Sequence, residues 1–408
     1  MTNTLTTDAA NGPLTGYRVL DLAGPIGFHG VKLLADMGAG VVKIEPPAGD
    51  PARLTPPFKD DLPHRERSLY FLHYNSNKRG ITLDLTQPDG RDIFLQLARR
   101  ADAVIESMAP GGMDALGIGY EAVRAVNPGV VYAAVTPFGQ TGPWRDYQGT
   151  DLVGLALSNT LAMSGEPDEP PVEAPGEIAY GMTGTYAALG VAIALYHRHL
   201  RGEGQYVDIS MHECGAHVAG YAIPLYSVSG VKPFRTSRTG AVADLFDVFK
   251  AKDGYVRFFI VQPHQWRHLV RWIGEPAEPI SDPLFDDMEW RRQNIDLVHG
   301  IIAGFAAQYT KRELYEEGQR RRIGVSSVDT PAEYVDSPQT QARGLFVPMQ
   351  HPVVGDYLEY GPIPGLSATP GRIIRPAPLL GQHNVEIYSG ELGLSTQDLA
   401  ALAAAGVV

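Results

Sequence analysis

Between Tyr17 and Gly139 short apolar runs alternate with amphipathic ones, and this alternation restricts the fold more than any other feature. YRVLDLAG reads as a strand, FHGVKLLADMG as a helix and VVKIE as a second strand. ITLDL follows as a strand, then a helix over DGRDIFLQLARRAD, a strand AVIES, a helix near YEAVRAVNPG and a strand VVYAAVTPFG. Short apolar strands separated by helices imply a parallel, doubly wound sheet, so an α/β fold is expected.

Near Tyr226 the pattern changes. VSGVKPFRTSRTG is rich in Gly, Ser, Arg and Thr and reads as a linker. KDGYVRFFIV reads as a hairpin-like piece, with helices over HQWRHLVRWIG and DLVHGIIAGFAAQYTKRELYEEG. From Ser326 the chain becomes rich in Pro and Gly. The expected division is a large domain begun by residues 1–224, a small domain with linkers over 225–330, and a return to the large domain over 331–408.

A net charge of −12 argues against nucleic acid or an anionic membrane as partner. Cys214 is the single cysteine, which excludes an internal disulfide and a cysteine metal cluster. No metal site is expected, and a cytoplasmic location fits a chain without disulfides. The start MTNTLTTDAANGPLTG has neither Lys nor Arg and does not read as a signal peptide. The apolar run Met182–Tyr196 is too short to span a bilayer.

Several motifs have a chemical and a plain reading. The glycines after the first strand stand at 24, 27 and 30, which is not the dinucleotide spacing, although Glu45 stands where a ribose-binding acid would. Lys78 and Arg79 in NSNKRG offer two adjacent cations for phosphate, or are solvated turn charges. His212, Glu213 and Cys214 are consecutive, so on a helix they do not face one another, and a structural role is expected. Glu177, in APGEIAYGMTG, opens a run with small residues at Gly181, Gly184, Ala187, Ala188, Gly190, Ala192 and Ala194. A helix so small-sided is expected to pack closely on several sides, with its N-terminus deep in the protein. The plain reading of Glu177 is a first-turn acid favoured by the helix dipole. The functional one is a carboxylate nucleophile.

At this point the sequence resembles the class III CoA-transferases, the carnitine-dehydratase/bile-acid-inducible family. The resemblance runs through RVLDLAG, KLLADMGAGVVKIEPPAGDPAR, NSNKRGITLDL, ADAVIESMAPGGMDALG, NPGVVYAAVTPFGQTGP, ALYHRHLRGEGQYVDISM and PAPLLGQHNVEI. It implies a Rossmann-like large domain built from both chain ends, a smaller inserted domain, and an interlocked-ring dimer. It implies a transfer of CoA from an acyl-CoA to a free carboxylic acid through an enzyme anhydride and thioester. Coenzyme A is then a substrate, and no permanently bound cofactor is expected.

By position, Glu177 takes the place of the family's nucleophilic Asp. A carboxylate one methylene longer keeps the chemistry but needs a pocket fitted to it. CoA contacts carried over by position are Pro25, Ile26, Leu83, Asp84, Leu85, Thr86, Ser107, Met108, Ala109, Gln148, Thr150 and Asp151. Pro46 and Ala115 replace arginines of the formyl-CoA transferases, which leaves Lys78, Arg79 or Arg53 to meet CoA phosphates. The glycine run of those enzymes is reduced to Gly240 in RTSRTGAVAD. Thr150 stands where the family's racemases have a His, which disfavours racemase or isomerase activity. The resemblance leaves two arrangements open. One is a homodimeric transferase using Glu177. The other is a weak or inactive subunit paired with a paralogous chain that carries the Asp.

Overall fold

The computed structural model describes residues 12–166, 168–233, 235 and 245–408. These belong to two compact units, one of 1–161, 174–223 and 341–408, the other of 162–173 and 224–340. The second unit therefore takes in a short early segment and runs ten residues past the expected limit at 330.

In the first unit six parallel strands stand in the order β3-β2-β1-β4-β5-β6. They are β1 (Arg18–Leu22), β2 (Gly40–Glu45), β3 (Arg79–Thr82), β4 (Ala103–Glu106), β5 (Val131–Thr136) and β6 (Tyr206–Ser210). The helices that matter for the site are α1 (Pro25–Asp36), α2 (Leu69–Asn75), α3 (Pro88–Ala98), α4 (Gly112–Ala115), α5 (Tyr120–Val126), α6 (Asp151–Leu157), α7 (Ile178–Arg201) and α8 (Met211–Val218). From β1 the chain builds outward to β2 and β3, then returns to place β4 on the other side of β1. Where strand order reverses, the loops at the carboxyl ends part and leave a crevice.

Successive strand residues serve opposite faces. Val19 packs with Val31, Leu34, Ala187 and Val191 under α1 and α7. Leu20 packs with Phe94, Leu97 and Val123 under α3 and α5, where Ile387, Tyr388 and Val407 join from the end of the chain. Gly30 and Gly184 let α1 and α7 touch: a Cβ on Gly30 would lie 2.4 Å from the Gly184 carbonyl oxygen. The glycine at 30 thus serves helix contact rather than a phosphate.

The late segment also closes the sheet. The Gly80 N–H of β3 donates to His383 Nδ1 at 3.0 Å, and that of Thr82 to Asn384 Oδ1 at 3.0 Å. In return the His383 N–H donates to the Gly80 carbonyl at 2.9 Å. An edge strand is thereby covered by side chains rather than left as a template for pairing.

Two expectations about α7 need correction. The helix has 24 residues and is long and apolar enough to cross a membrane by length and composition, so Met182–Tyr196 understates it. Nor is it packed all round. Gly184 meets α1 and Gly190 faces Val207 of β6, while Leu189, Ile193, Tyr196 and Leu200 are exposed. Small residues mark the close-packed stripe, not the whole circumference. Cys214, in α8, is buried, and burial pushes its thiol up to about 11, consistent with a structural role.

The second unit has an antiparallel sheet, β7 (Leu245–Ala251), β8 (Gly254–Ile260) and β9 (Gly324–Val328), in that order. Helices over Pro263–Ile273, Ile295–Ala306 and Lys311–Arg320 cover it around Phe258, Trp266, Ile302 and Leu314. In the first unit Phe346–His351 and Gly355–Tyr360 form a separate hairpin that the Pro/Gly-rich composition had hidden.

Candidate active site

A cleft of about 630 Å³ opens at the reversal point of the sheet. Its walls come from the loops after β1, β2, β3 and β4 and from residues 145–149 ahead of α6. Pro25, Ile26, Leu83, Asp84, Leu85, Thr86, Ser107, Met108, Ala109 and Gln148 all line it. Ser107 ties two of these loops together, its Oγ accepting from the Gly24 N–H at 2.7 Å.

Glu177 stands at the N-terminus of α7, half-buried. Gly176 before it has φ 95°, a left-handed turn with open space around it, so conformation rather than room calls for glycine there. The Glu177 side chain does not cap its own helix. Asp151 does so instead, accepting from the Tyr180 N–H at 2.8 Å. The carboxylate of Glu177 is thereby left for other partners. Tyr70 Oη lies 3.0 Å from Oε1 and 2.8 Å from Oε2, and the Tyr74 phenol stands near enough to favour the charged carboxylate. Tyr180, on the first turn of α7, lines the cleft.

Burial raises the Glu177 carboxyl above its usual range, the Tyr70 and Tyr74 phenols pull it back, Asp151 raises it and His73 lowers it. The net direction is upward. Both phenols are held well above their ordinary range, by burial first and by Glu177 next, so they stay protonated donors.

The expected phosphate-binding cations are elsewhere. Lys78 is fully buried, with Nζ 2.9 Å from Asp21 Oδ2 and 3.0 Å from Asn75 Oδ1, over the Phe28 ring. Burial lowers its ammonium to about 8 in spite of Asp21. Arg79 reaches the other way, to Glu386 at 2.8 Å and Glu391 at 2.5 Å. Arg53 is 1% exposed, paired with Glu45 and Glu66 and stacked on Phe71. None of the three lines the cleft. Each is committed to an acid, distant in sequence for Lys78 and Arg79 and close for Arg53, and Glu45 is explained by Arg53 rather than by a ribose.

Among the described residues Arg145 is the basic side chain that lines the cleft, 3.2 Å from Asp146. Of the lining acids, Glu45 is neutralised by Arg53 and Asp50 by Lys43. Asp84 accepts from Thr86 and Gln87, which holds its carboxyl below the usual range. Thr150 and Asp151 do not line the cleft; Thr150 stands at the N-terminus of α6 without a side-chain cap bond, and Asp151 caps α7. The expectation about Gly240 lies outside the described residues.

Tyr70, Tyr74 and His73 were missed as site residues. A signal was present. In SLYFLHYN a Ser cap precedes tyrosines four apart, which puts two phenols on one helix face.

CoA-transferase family III matches residues 14–384. The chain is 34% identical over 404 residues to succinyl-CoA–D-citramalate CoA-transferase of Chloroflexus aurantiacus, covering 97% of this chain and 98% of that protein. It is 34% identical over 383 residues to the BbsE subunit of succinyl-CoA:(R)-benzylsuccinate CoA-transferase of Thauera aromatica, covering 91% and 92%. The crystal structure of a CAIB/BAIF family protein from Brucella suis superposes with TM-score 0.84 at 28% identity, covering 93% of this chain and 99% of that one. The chain belongs to CoA-transferase family III.

Proposed function

We propose that this chain moves CoA from an acyl-CoA to a free carboxylic acid with Glu177 as nucleophile. The observation that carries the reading is the carboxylate itself. It is hydrogen-bonded by Tyr70 with Tyr74 close by, released from capping by Asp151, and set three residues before a residue of the cleft.

The Glu177 oxygen attacks the thioester carbonyl, the C–S bond breaks, and a mixed anhydride and CoA thiolate result. The thiolate attacks the glutamyl carbonyl, which gives a glutamyl–CoA thioester and releases the donor acid. The acceptor carboxylate then attacks that thioester, forming a new anhydride and thiolate. Attack of the thiolate on the acceptor carbonyl yields the new acyl-CoA and restores Glu177. No net proton is consumed, so the sequence of steps needs no general base. The Tyr70 hydroxyl, with Tyr74 beside it, holds the carboxylate and stabilises the charge that develops on the glutamyl carbonyl oxygen when the thiolate attacks the anhydride.

CoA lies along the cleft, its acyl end toward Tyr180 and its phosphates at Arg145 and the loop amides. The names of the two relatives above favour succinyl-CoA as donor. The exposed apolar face of α7 supports an assembly of chains. Mass spectrometry after incubation with succinyl-CoA and hydroxylamine tests the reading: a hydroxamate at Glu177 is expected, and an unmodified Glu177 under turnover overturns it.

A second reading is favoured by the BbsE relative, whose name makes it a subunit, and by Glu at the nucleophile position. Here the chain needs a paralogous partner for exchange. Exchange by the purified chain alone removes this reading.

A further inference from the structure

A second cavity, of about 240 Å³, opens at the end of β4, where Glu106 lines it while the next residue, Ser107, lines the cleft. The charged side chains on its walls are all acidic: Glu106, Asp114 and Glu121. Glu106 is 5% exposed, and the Met108 N–H donates to it at 2.6 Å. Neither Glu106 nor Asp114 has a basic partner among the described residues, and Glu121 has only Arg124, exposed, at 3.6 Å. Gly119 makes room for Asp114: a Cβ there would lie 1.8 Å from Asp114 Oδ1.

Three tyrosines also line it. Tyr120, Tyr132 and Tyr206 pack with ring centroids 5.2–5.8 Å apart. Tyr132 is 1% exposed, lines the cavity, and its hydroxyl has no hydrogen-bond partner. Nearly all buried polar groups in proteins are paired, so an orphaned hydroxyl on a cavity wall marks a place where something else bonds. Burial and the nearby Asp114 charge push the Glu106 carboxyl up to about 7.

We propose that this cavity is a binding site for a small organic ammonium ion. Its N–H groups donate to the Glu106 and Asp114 carboxylates and to Tyr132 Oη, and its carbons lie against the tyrosine rings. A metal ion is the poorer occupant, because no three His, Cys, Asp or Glu side chains among the described residues are placed to hold one. The volume is that of about eight waters, which suits a cation of a few heavy atoms. Nothing in the transfer chemistry uses these residues, so the site is separate from Glu177.

Calorimetric titration of the full chain with n-butylammonium chloride, against sodium chloride at equal ionic strength, tests this. Saturable binding is expected, about tenfold weaker in Asp114→Asn and several-fold weaker in Tyr132→Phe. Without the cation, Tyr132→Phe is expected to melt higher than the parent, because it removes an unpaired buried hydroxyl. Heats equal to those of sodium chloride overturn the proposal, as does an affinity unchanged in both variants. Asp114 is exposed, so Asp114→Asn keeps the fold and the test stands on it alone if Tyr132→Phe does not.

Discussion

One phenol, Tyr70, spans both oxygens of one carboxylate, Glu177, at 3.0 and 2.8 Å. The hydrogen bond lowers a pKa that burial raises. Under the proposed mechanism exchange requires Glu177 ionised, so its acid limb falls where this group protonates. Tyr70→Phe removes the lowering contact, so the limb should move to higher pH. The rate at neutral pH should drop about tenfold through loss of a charge-assisted bond. A pH–rate profile checks both; a slower enzyme with an unmoved acid limb would show that Tyr70 acts only in packing.

Glu177→Gln should abolish exchange, since an amide forms no anhydride, with CoA affinity little changed. Glu177→Asp withdraws the carboxylate by one methylene from Tyr70 and Tyr74, and a displacement of about 1 Å costs about 100-fold in rate. Exchange of labelled succinate into its CoA ester measures all three proteins. Higher activity in the Asp variant would mean that the phenols are set for the shorter acid.

Lys78 and Arg145 should separate stability from ligand binding. Lys78→Ala leaves Asp21 charged and buried, and should cost about 3–5 kcal/mol in denaturant unfolding. Arg145→Ala should leave stability unchanged and weaken CoA about three- to tenfold, with a smaller salt dependence. Equal CoA affinity in the Arg145 variant would place the phosphates elsewhere.

Glu106 gives a stability–pH signature. Its folded pKa, about 7, is above the ordinary 4.5, so the native state holds the proton more tightly than the unfolded chain. That stability is complete below about pH 4.5 and is lost as pH rises through about 7. Relative to Glu106→Gln, the parent should therefore lose about 3 kcal/mol across this window. Urea midpoints at several pH values read it directly, and parallel curves would count against a buried, unpaired Glu106.

Gly184→Ala should destabilise by about 1–3 kcal/mol, because the added methyl meets the Gly30 backbone nitrogen at 2.6 Å and His29 Cβ at 2.8 Å. Thermal melting checks it; an unchanged Tm would mean α1 and α7 separate at no cost.

The periodic parts of the chain were the legible ones. Five of the six parallel strands announce themselves by apolar runs between helices, and ten of the expected CoA contacts fall on one cleft. β6 was missed as a strand because its exposed side chains dilute the apolar run. The cations were misread for a different reason. Whether Lys78 is solvated depends on Asp21, 57 residues earlier, and Arg79 depends on Glu386 and Glu391, 307 and 312 residues later. Local sequence carries propensity and pattern, not the burial that a distant acid makes tolerable. Asp151 is expected from its position to meet CoA, yet it caps α7, which only the meeting of α6 and α7 reveals.

The closure of β3 by His383 and Asn384 has a consequence for synthesis. The contacts join residues 302–303 apart in sequence. A ribosome that has released all six strands has still not released the segment that satisfies the outer one. At about 5–20 residues per second the nascent sheet waits many seconds with an open flank. Until then β3 can pair with another unfinished chain, so a pause in translation between β6 and Gly381 should be felt as aggregation rather than as loss of activity. The last step in completing this sheet is thus set by the translation clock, and not by any strand in it.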